Sequence, residues 1–276
     1  MKLIGAHFSI GSGLGNAVRE AKKKGCGALQ IFTKNPMGWL EKPLNKDEIY
    51  DFLDAKKETG IDEIISHTSY LINLASPEKQ KQYLSKTALI QEFQRCSSLK
   101  IKYIVMHPGA YIKGGEESGL KRIVENLNLA FNEVGNNSPM LLLETTAGQG
   151  TNLGYKFEHI AFIIKIINNK DKIGVCFDTC HSFAAGYDIR NEKAFRQTMK
   201  KFDEILGLKN LRVMHLNDSK KGLGSRVDRH QNIGKGEIGL DAFKIIMNDK
   251  RLEKIPKILE TPHSRTQNDI KILLNL

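Results

Sequence analysis

Short apolar segments rich in β-branched residues recur along the whole chain at similar intervals. Their first residues are 25 to 46 positions apart, which is the length of one strand, one crossover helix and two loops. Each segment is therefore predicted to be one strand of a parallel sheet. The eight predicted strands are residues 3–8, 28–33, 63–67, 103–107, 140–144, 173–178, 211–216 and 257–260.

Amphipathic segments with helical periodicity separate the predicted strands. Ser76 and Pro77 are predicted to cap and begin the third helix. Eight strand–helix units fill the chain without a linker rich in Pro, Gly or Ser, which predicts an α/β fold: a single (β/α)₈ TIM barrel, one domain over residues 1–276. Two α/β domains are the alternative, but no shift in composition marks a boundary. The predicted helices are 13–24, 46–58, 77–99, 120–134, 156–167, 192–206, 240–247 and 265–274.

Composition narrows the class of protein. A chain with 40% hydrophobic and 26% charged residues can bury a core, so intrinsic disorder is excluded. Four cysteines are too few for a disulfide framework, which predicts a reducing, cytoplasmic location. The first residues lack the apolar region of a secretory signal, and no apolar run is long enough to cross a bilayer, so no membrane partner is expected.

The charge balance favours an anionic partner. Lys and Arg number 42 against 31 Asp and Glu, which gives a net charge of +11. Such an excess is typical of proteins that bind nucleic acid. A generally lysine-rich surface is the alternative explanation.

Residues of metal-ligand type stand at the ends of six predicted strands, and three more follow in the loops. A parallel barrel brings the carboxyl ends of its strands to one rim, where chemistry takes place. A carboxylate at the mouth of a dry barrel costs several kcal/mol unless a positive charge meets it. The predicted metal ligands are His67, His107, Glu144, Asp178, His181, His215, Asp228, His230 and Glu260.

The donor types indicate the metal and the number of ions. Five imidazoles and four carboxylates without a thiolate suit Zn²⁺ or Mn²⁺. Nine ligands are too many for one ion but fit three ions if one carboxylate bridges two of them. Three divalent ions and four carboxylates leave about +2 to meet a phosphate. His7 is expected to support or join this set, whereas His159 and His263 are given no role. The cysteines are expected to be plain core.

Loops on the same rim carry large apolar and basic side chains. Met37 follows the second predicted strand, and Tyr70 and Leu71 follow the third. Arg226 and Arg229 lie in the glycine-rich loop after the seventh, together with two lysines. Basic groups beside apolar wedges are typical of proteins that kink a DNA duplex.

Three segments, LETTAGQG at 143–150, FDTCHSFAAGYD at 177–188 and GSRVDRH at 224–230, resemble the signatures of the endonuclease IV family. This is a family of DNA-repair nucleases that act at apurinic/apyrimidinic sites with three zinc ions. The resemblance extends from Gly5 to Glu260, essentially the whole chain.

The resemblance implies a ligand set for each ion. The first zinc would bind His67 and His107, and Glu144 would bridge it to the second. The second would add Asp178, His215 and Glu260. The third would bind His181, Asp228 and His230. Mn²⁺ is an alternative occupant of one site.

The resemblance also implies the reaction and the partner. The reaction would be hydrolysis of the phosphodiester 5′ to an abasic site in double-stranded DNA, leaving a 3′-hydroxyl, together with removal of blocked 3′ ends. Glu144 and Glu260 would be its catalytic carboxylates, and the chain would act as a monomer. Met37 departs from the arginine common in the family, so this wedge is uncharged. The implied DNA-binding residues are Asn35, Met37, Tyr70, Leu71, Arg226 and Arg229.

Two other classes of protein remain as alternatives. Metal-dependent sugar isomerases and epimerases share this barrel and need only Glu144, Asp178, His215 and Glu260, which leaves five ligands without a function. A non-catalytic DNA-binding module would explain the charge but not nine ligands at one rim. Metal stoichiometry distinguishes an isomerase, with one or two ions per chain, from a nuclease with three. A nicking assay on abasic DNA distinguishes the nuclease from a non-catalytic DNA-binding module.

Overall fold

A computed structural model describes residues 2–39, 42–135, 138–262 and 265–276. Eight parallel strands form a closed barrel, as the sequence predicted. Two further short strands, β8 and β9, pair antiparallel outside the barrel. The strands are β1 (Ile4–Phe8), β2 (Ala28–Ile31), β3 (Glu63–His67), β4 (Tyr103–Met106), β5 (Met140–Glu144), β6 (Ile173–Asp178), β7 (Leu211–His215), β8 (Asp218–Ser219), β9 (His230–Gln231) and β10 (Lys257–Leu259).

The barrel follows chain order and closes where β1 pairs with β10, the eighth barrel strand. Gly5 makes the neighbouring β1–β2 contact possible, because a Cβ at this position would lie 1.8 Å from the carbonyl oxygen of Ala28. Any other residue would force these two strands apart.

Helices cover the outside of the barrel, and their apolar faces pack on it in one large core cluster. No helix among the described residues is long and apolar enough to span a membrane. The helices are α1 (Leu14–Lys23), α2 (Lys46–Thr59), α3 (Lys79–Ser98), α4 (Gly115–Val134), α5 (Phe157–Ile166), α6 (Thr179–Ala184), α7 (Glu192–Leu206), α8 (Leu240–Asn248) and α9 (Thr266–Leu274).

Three local predictions were wrong. Helix α3 begins at Lys79 rather than at Pro77, and the Ser76 hydroxyl accepts the backbone N–H of Glu78 in the turn before it. Helix α4 begins five residues before the predicted start, because two glutamates in its first turn extend it without adding apolar periodicity. His181, expected in the loop after the sixth predicted strand, lies instead in the short helix α6, whose N-cap is Asp178.

A second, smaller core cluster fills the barrel itself. Seven strands each contribute one side chain to this layer, and it closes the barrel beneath the carboxyl ends of the strands. The layer consists of Ala28, Ile65, Val105, Leu142, Cys176, Val213 and Ile258.

Candidate functional site

The candidate metal centre is the next layer of the same barrel. Side chains two residues apart on a strand point to the same face. The residues two positions after the members of the apolar layer therefore form a polar ring at the carboxyl ends of the strands. The ring comprises Gln30, His67, His107, Glu144, Asp178, His215 and Glu260.

Glu144 lies at the middle of this ring with its two oxygens facing different neighbours. Its Oε2 is 3.1 Å from Nε2 of His67 and 3.2 Å from Nε2 of His107. Its Oε1 is 3.0 Å from Nδ1 of His215. The carboxylate is fully buried, so it has the geometry of a bridge between two groups of ligands.

Two groups of ligand atoms share Glu144, and within each group the atoms lie within 4.8 Å of one another. One group is His67, His107 and Glu144, and the other is Glu144, Asp178, His215 and Glu260. These two groups have the composition that the resemblance implied for the first and second ions.

A third group lies where α6 and β9 meet the barrel. Nε2 of His181 is 3.2 Å from Nε2 of His230 and 3.2 Å from a carboxylate oxygen of Asp228. The other oxygen of Asp228 is 3.4 Å from Nε2 of His230. Asp178 and Cys180 also come within range of parts of this group.

Hydrogen bonds at the outer nitrogens fix which nitrogen of each imidazole faces inward. Nδ1 of His67 lies 2.8 Å from the Thr68 carbonyl oxygen, and Nδ1 of His181 lies 3.0 Å from that of Thr145. A carbonyl oxygen only accepts, so in the neutral imidazoles these nitrogens carry the hydrogen and the inner Nε2 atoms present lone pairs. Nδ1 of His230 has the same relation to the Glu260 carbonyl oxygen, at 3.2 Å.

The facing lone pairs of His181 and His230 test whether a metal fits. Two bare Nε2 atoms 3.2 Å apart beside a carboxylate repel one another unless a proton or a cation lies among them. Imidazoles held by outer hydrogen bonds with a free nitrogen turned toward carboxylates are the arrangement of metal-binding histidines. The donor set and its orientation therefore fit divalent ions.

Electrostatics lead to the same conclusion. Burial alone would lower the pKa of His181, yet Asp178, Asp228 and Glu144 raise it well above its ordinary value. Burial would raise the pKa of Glu144, yet the surrounding histidines hold it well below its ordinary value. The cluster thus favours positive charge at its centre, and metal ions compete with protons for these sites.

Gln30 is a site residue that the sequence analysis missed. It is fully buried, and its Nε2 donates to Oε1 of Glu260 at 2.6 Å, which fixes the orientation of the amide. Its Oε1 then accepts from Nε2 of His215 at 2.8 Å, so Nδ1 of His215 faces the carboxylates. The available signal was a lone amide within an apolar strand, two residues beyond Ala28.

Asn217 was also missed, because it lies two residues beyond the end of β7, where no periodic pattern of apolar residues marks it. Its Nδ2 donates to Asp178 at 2.7 Å and its Oδ1 accepts the backbone N–H of Glu260 at 2.8 Å. His7 lies beside this network, with Nδ1 3.1 Å from Nε2 of Gln30. Asn217 and His7 both lie outside the groups of candidate ligands and can orient the side chains within them.

The remaining histidines and cysteines agree with core roles. His159 is buried and bonds Glu116 at 3.1 Å, away from the candidate metal ligands, and His263 lies outside the described residues. All four cysteines are free and buried. Burial raises the pKa of Cys176 and that of Cys180 to about 12, as expected of thiols in an apolar environment.

The rim around the ring carries the predicted wedges. Met37 is 70% and Tyr70 67% exposed, so both project from the surface, whereas Leu71 is partly covered. The Tyr70 ring contacts Phe32 edge to face at 5.2 Å between centroids. Asn35 is exposed, but its Oδ1 accepts the Met37 N–H at 3.0 Å.

The predicted arginines lie in the loop between β8 and β9. Arg229 lines a 410 Å³ cavity together with His107, His181 and Glu260. Arg226 stacks its guanidinium 3.7 Å from the centroid of Tyr155. Tyr70 and Arg229 thus border one cavity that is also lined by His67, His107 and Glu260. Arg226 lines a separate cavity together with Tyr155.

The chain is similar to known proteins over nearly its whole length. The xylose isomerase-like TIM barrel family model matches residues 18–275. Probable endonuclease 4 of Geotalea daltonii is 49% identical over 99% of this chain and 96% of that protein. Probable endonuclease 4 of Campylobacter hominis is 47% identical over 100% and 99%.

Solved structures show the same similarity to endonuclease IV. The crystal structure of endonuclease IV from Thermus thermophilus has a TM-score of 0.86 and 33% identity, covering 99% of this chain and 97% of that one. A D-tagatose 3-epimerase-like protein has a TM-score of 0.71 but only 17% identity. At that identity the second likeness shows the fold alone.

Proposed function

Because the chain belongs to the endonuclease IV family, we propose that it is a metal-dependent hydrolase of DNA repair. It cleaves the phosphodiester 5′ to abasic sites in double-stranded DNA, leaves a 3′-hydroxyl and removes blocked 3′ ends in base excision repair. The chain acts as a monomer in the cytoplasm.

The observation that carries this proposal is the convergence of oriented lone pairs on three neighbouring points. Glu144 presents one oxygen to His67 and His107 and the other to His215. The third point lies between the Nε2 atoms of His181 and His230. A sugar isomerase needs only the ligands around His215 and has no use for the third point.

Three Zn²⁺ ions account for all nine ligands, and Mn²⁺ is the alternative at one site. His67, His107 and Glu144 would hold the first. Glu144, Asp178, His215 and Glu260 would hold the second, and His181, Asp228 and His230 would hold the third. When bound, the ions supply Lewis-acid polarisation of the phosphate and a nucleophile at neutral pH.

The protein residues fix the geometry of the reaction. Neighbouring histidines hold the pKa values of Glu144 and Glu260 well below the ordinary range, so both remain carboxylates and act as ligands rather than proton donors. Glu144 sets the separation of the first two groups. Glu260 lines the open cavity, where it orients the attacking water and accepts its hydrogen bond.

The rim supplies recognition of DNA. Arg226 and Arg229 contact phosphates, and Asn35 lies beside the Met37 wedge. Met37, Tyr70 and Leu71 insert into the stack opposite the lesion, which offsets a few kcal/mol of unstacking. The net charge of +11 provides attraction for the duplex that does not depend on sequence.

The decisive experiment combines elemental analysis of the purified protein with nicking of a duplex that carries one abasic site. We expect three ions per chain and a single nick 5′ to the lesion. Glu144→Gln should lose more than one ion and nearly all cleavage, because two groups share this carboxylate. One or two ions per chain without nicking would favour the isomerase, and a bound but uncut duplex would favour a DNA-binding module.

A further inference from the structure

Arg95, on the outer helix α3, reaches the loop after β2 from behind the barrel. The loop comprises residues 33–39 and is called here the β2 loop. The Arg95 guanidinium donates through Nη2 to the Thr33 carbonyl oxygen and through Nη1 to that of Lys42 at 2.8 Å. Its Nε also lies 3.2 Å from the Thr33 hydroxyl. One buried side chain thus binds the residue where the loop leaves the barrel and a residue just beyond its other end.

A second buried cation, within the β2 loop, joins the beginning of this loop to its end. Lys34 is only 4% exposed, and its Nζ donates to the carbonyl oxygens of Gly38 and Trp39. A buried ammonium or guanidinium is costly unless it is hydrogen-bonded. These two cations therefore hold the loop in one conformation, with the Met37 side chain projecting outward.

Glu92 connects the same loop to the strand that carries a metal ligand. This carboxylate is 1% exposed and accepts from the Thr33 hydroxyl at 2.9 and 3.0 Å. It also accepts from the Ser66 hydroxyl, and Ser66 precedes His67 in β3. The base of the β2 loop and the end of β3 thus share one buried anchor on α3.

The loop after β3, residues 68–73, is bonded to the β2 loop directly. The Ser69 hydroxyl is nearly buried and donates to the Pro36 carbonyl oxygen at 2.6 Å. Ser69 is adjacent to Tyr70, and Pro36 is adjacent to Met37. The two wedges therefore project from one hydrogen-bonded unit rather than from two independent loops.

We propose that Arg95 is a positioning residue for lesion recognition: it holds both wedge loops in the DNA-binding conformation from outside the active site. This inference rests on the proposed function. Arginine is required because its planar fork bonds several acceptors at once, whereas lysine offers a single point of charge. A recognition surface that is already ordered avoids the entropy cost of ordering loops on binding.

Arg95→Lys tests the inference, because it keeps the charge and removes the fork. For the metal-loaded protein we expect KM on a duplex with a tetrahydrofuran abasic analogue to rise about tenfold. Metal content and hydrolysis of bis(4-nitrophenyl) phosphate should not change. Hydrogen exchange should accelerate in peptides covering 33–39 and 68–73. Ser69→Ala removes the bond to Pro36 between the loops and the acceptor of the Leu71 N–H. It should shift KM and exchange in the same direction, and it tests the inference if Arg95→Lys misfolds.

Arg19→Lys is the matched control. Arg19 joins α1 to α2 through Asp51 at 2.8 Å and Glu58 at 2.9 Å, so the same exchange is made away from the wedge loops and should leave KM at the parent value. Parent-like KM and exchange in Arg95→Lys would overturn the positioning role alone, and so would a joint loss of metal, small-substrate hydrolysis and DNA cleavage. A parent protein that does not cut abasic DNA would overturn the proposed function itself, whatever the exchange data show.

Discussion

Replacing Gln30 by methionine should weaken one metal site without dismantling the barrel. Gln30 is no ligand in the proposed set, yet it contacts two of the four side chains around the second site. Its amide donates to Glu260 at 2.6 Å and accepts from His215 at 2.8 Å. Methionine fills a similar volume but forms neither bond.

The magnitude follows from what these two bonds do. A hydrogen bond to a charged group contributes about 1.5–3 kcal/mol, but only the part that differs between metal-loaded and metal-free protein changes affinity. Loss of an outer hydrogen bond to a metal ligand typically weakens binding about 10- to 100-fold. We therefore expect a loss of about 1.4–2.7 kcal/mol at the site of His215 and Glu260.

Competition with a chromophoric chelator measures this loss. Gln30→Met should release one ion per chain at a chelator concentration at which the parent retains all of its ions. Leu29→Met is the control, because it makes a volume-conserving change on the same strand but on the opposite face. It should retain the parent's affinity.

Two results would refute this reasoning. If Gln30→Met released its ions at the parent's chelator concentration, the amide would not orient the ligands. If it lost all ions together with its thermal transition, Gln30 would serve packing rather than the second site.

Three further predictions concern the rim of the barrel and helix α4. Replacing Tyr70 and Leu71 by alanine should cost roughly 2–4 kcal/mol in binding an abasic duplex by titration, while metal content and small-phosphodiester hydrolysis persist. Arg226→Ala should reduce the slope of log affinity against log salt by about 0.9, and an unchanged slope would exclude a phosphate contact. Although burial opposes it, bonds from Tyr155 and a lysine lower the pKa of Glu116 from 4.5 to about 2. A depressed pKa contributes stability above pH 4.5 that is lost as pH falls toward 2. Glu116→Gln should therefore lower Tm at pH 7 but not near pH 2.

The barrel was predictable because most positions on both faces of its strands are buried, so each strand reads as an apolar run of distinctive length. Candidate ligands at strand ends were recognisable for the same reason, since His67 or Glu144 interrupts such a run. Asp178 and His181 were recognised as candidates, but the helix between them was too short to show periodicity.

Residues that act through tertiary contacts were not predictable. Gln30 lies within an apolar run and acquires its role only when the closed barrel brings Glu260 and His215 beside it. Arg95 has the spacing of an ordinary helix residue, and nothing local reveals that its partners are backbone carbonyls of the β2 loop. Every residue has a backbone carbonyl, so the sequence does not show which carbonyl a side chain will bond.

The pairing of the first strand with the last has a consequence for synthesis of the protein. Ligands are spread from His67 in β3 to Glu260 just beyond β10, and β1 reaches its second neighbour only when β10 has been made. Domains emerge from the ribosome N-terminal end first, so a nascent or truncated chain that lacks β10 has an open sheet and an incomplete second site. The candidate metal centre is therefore expected to be complete only when translation is nearly finished.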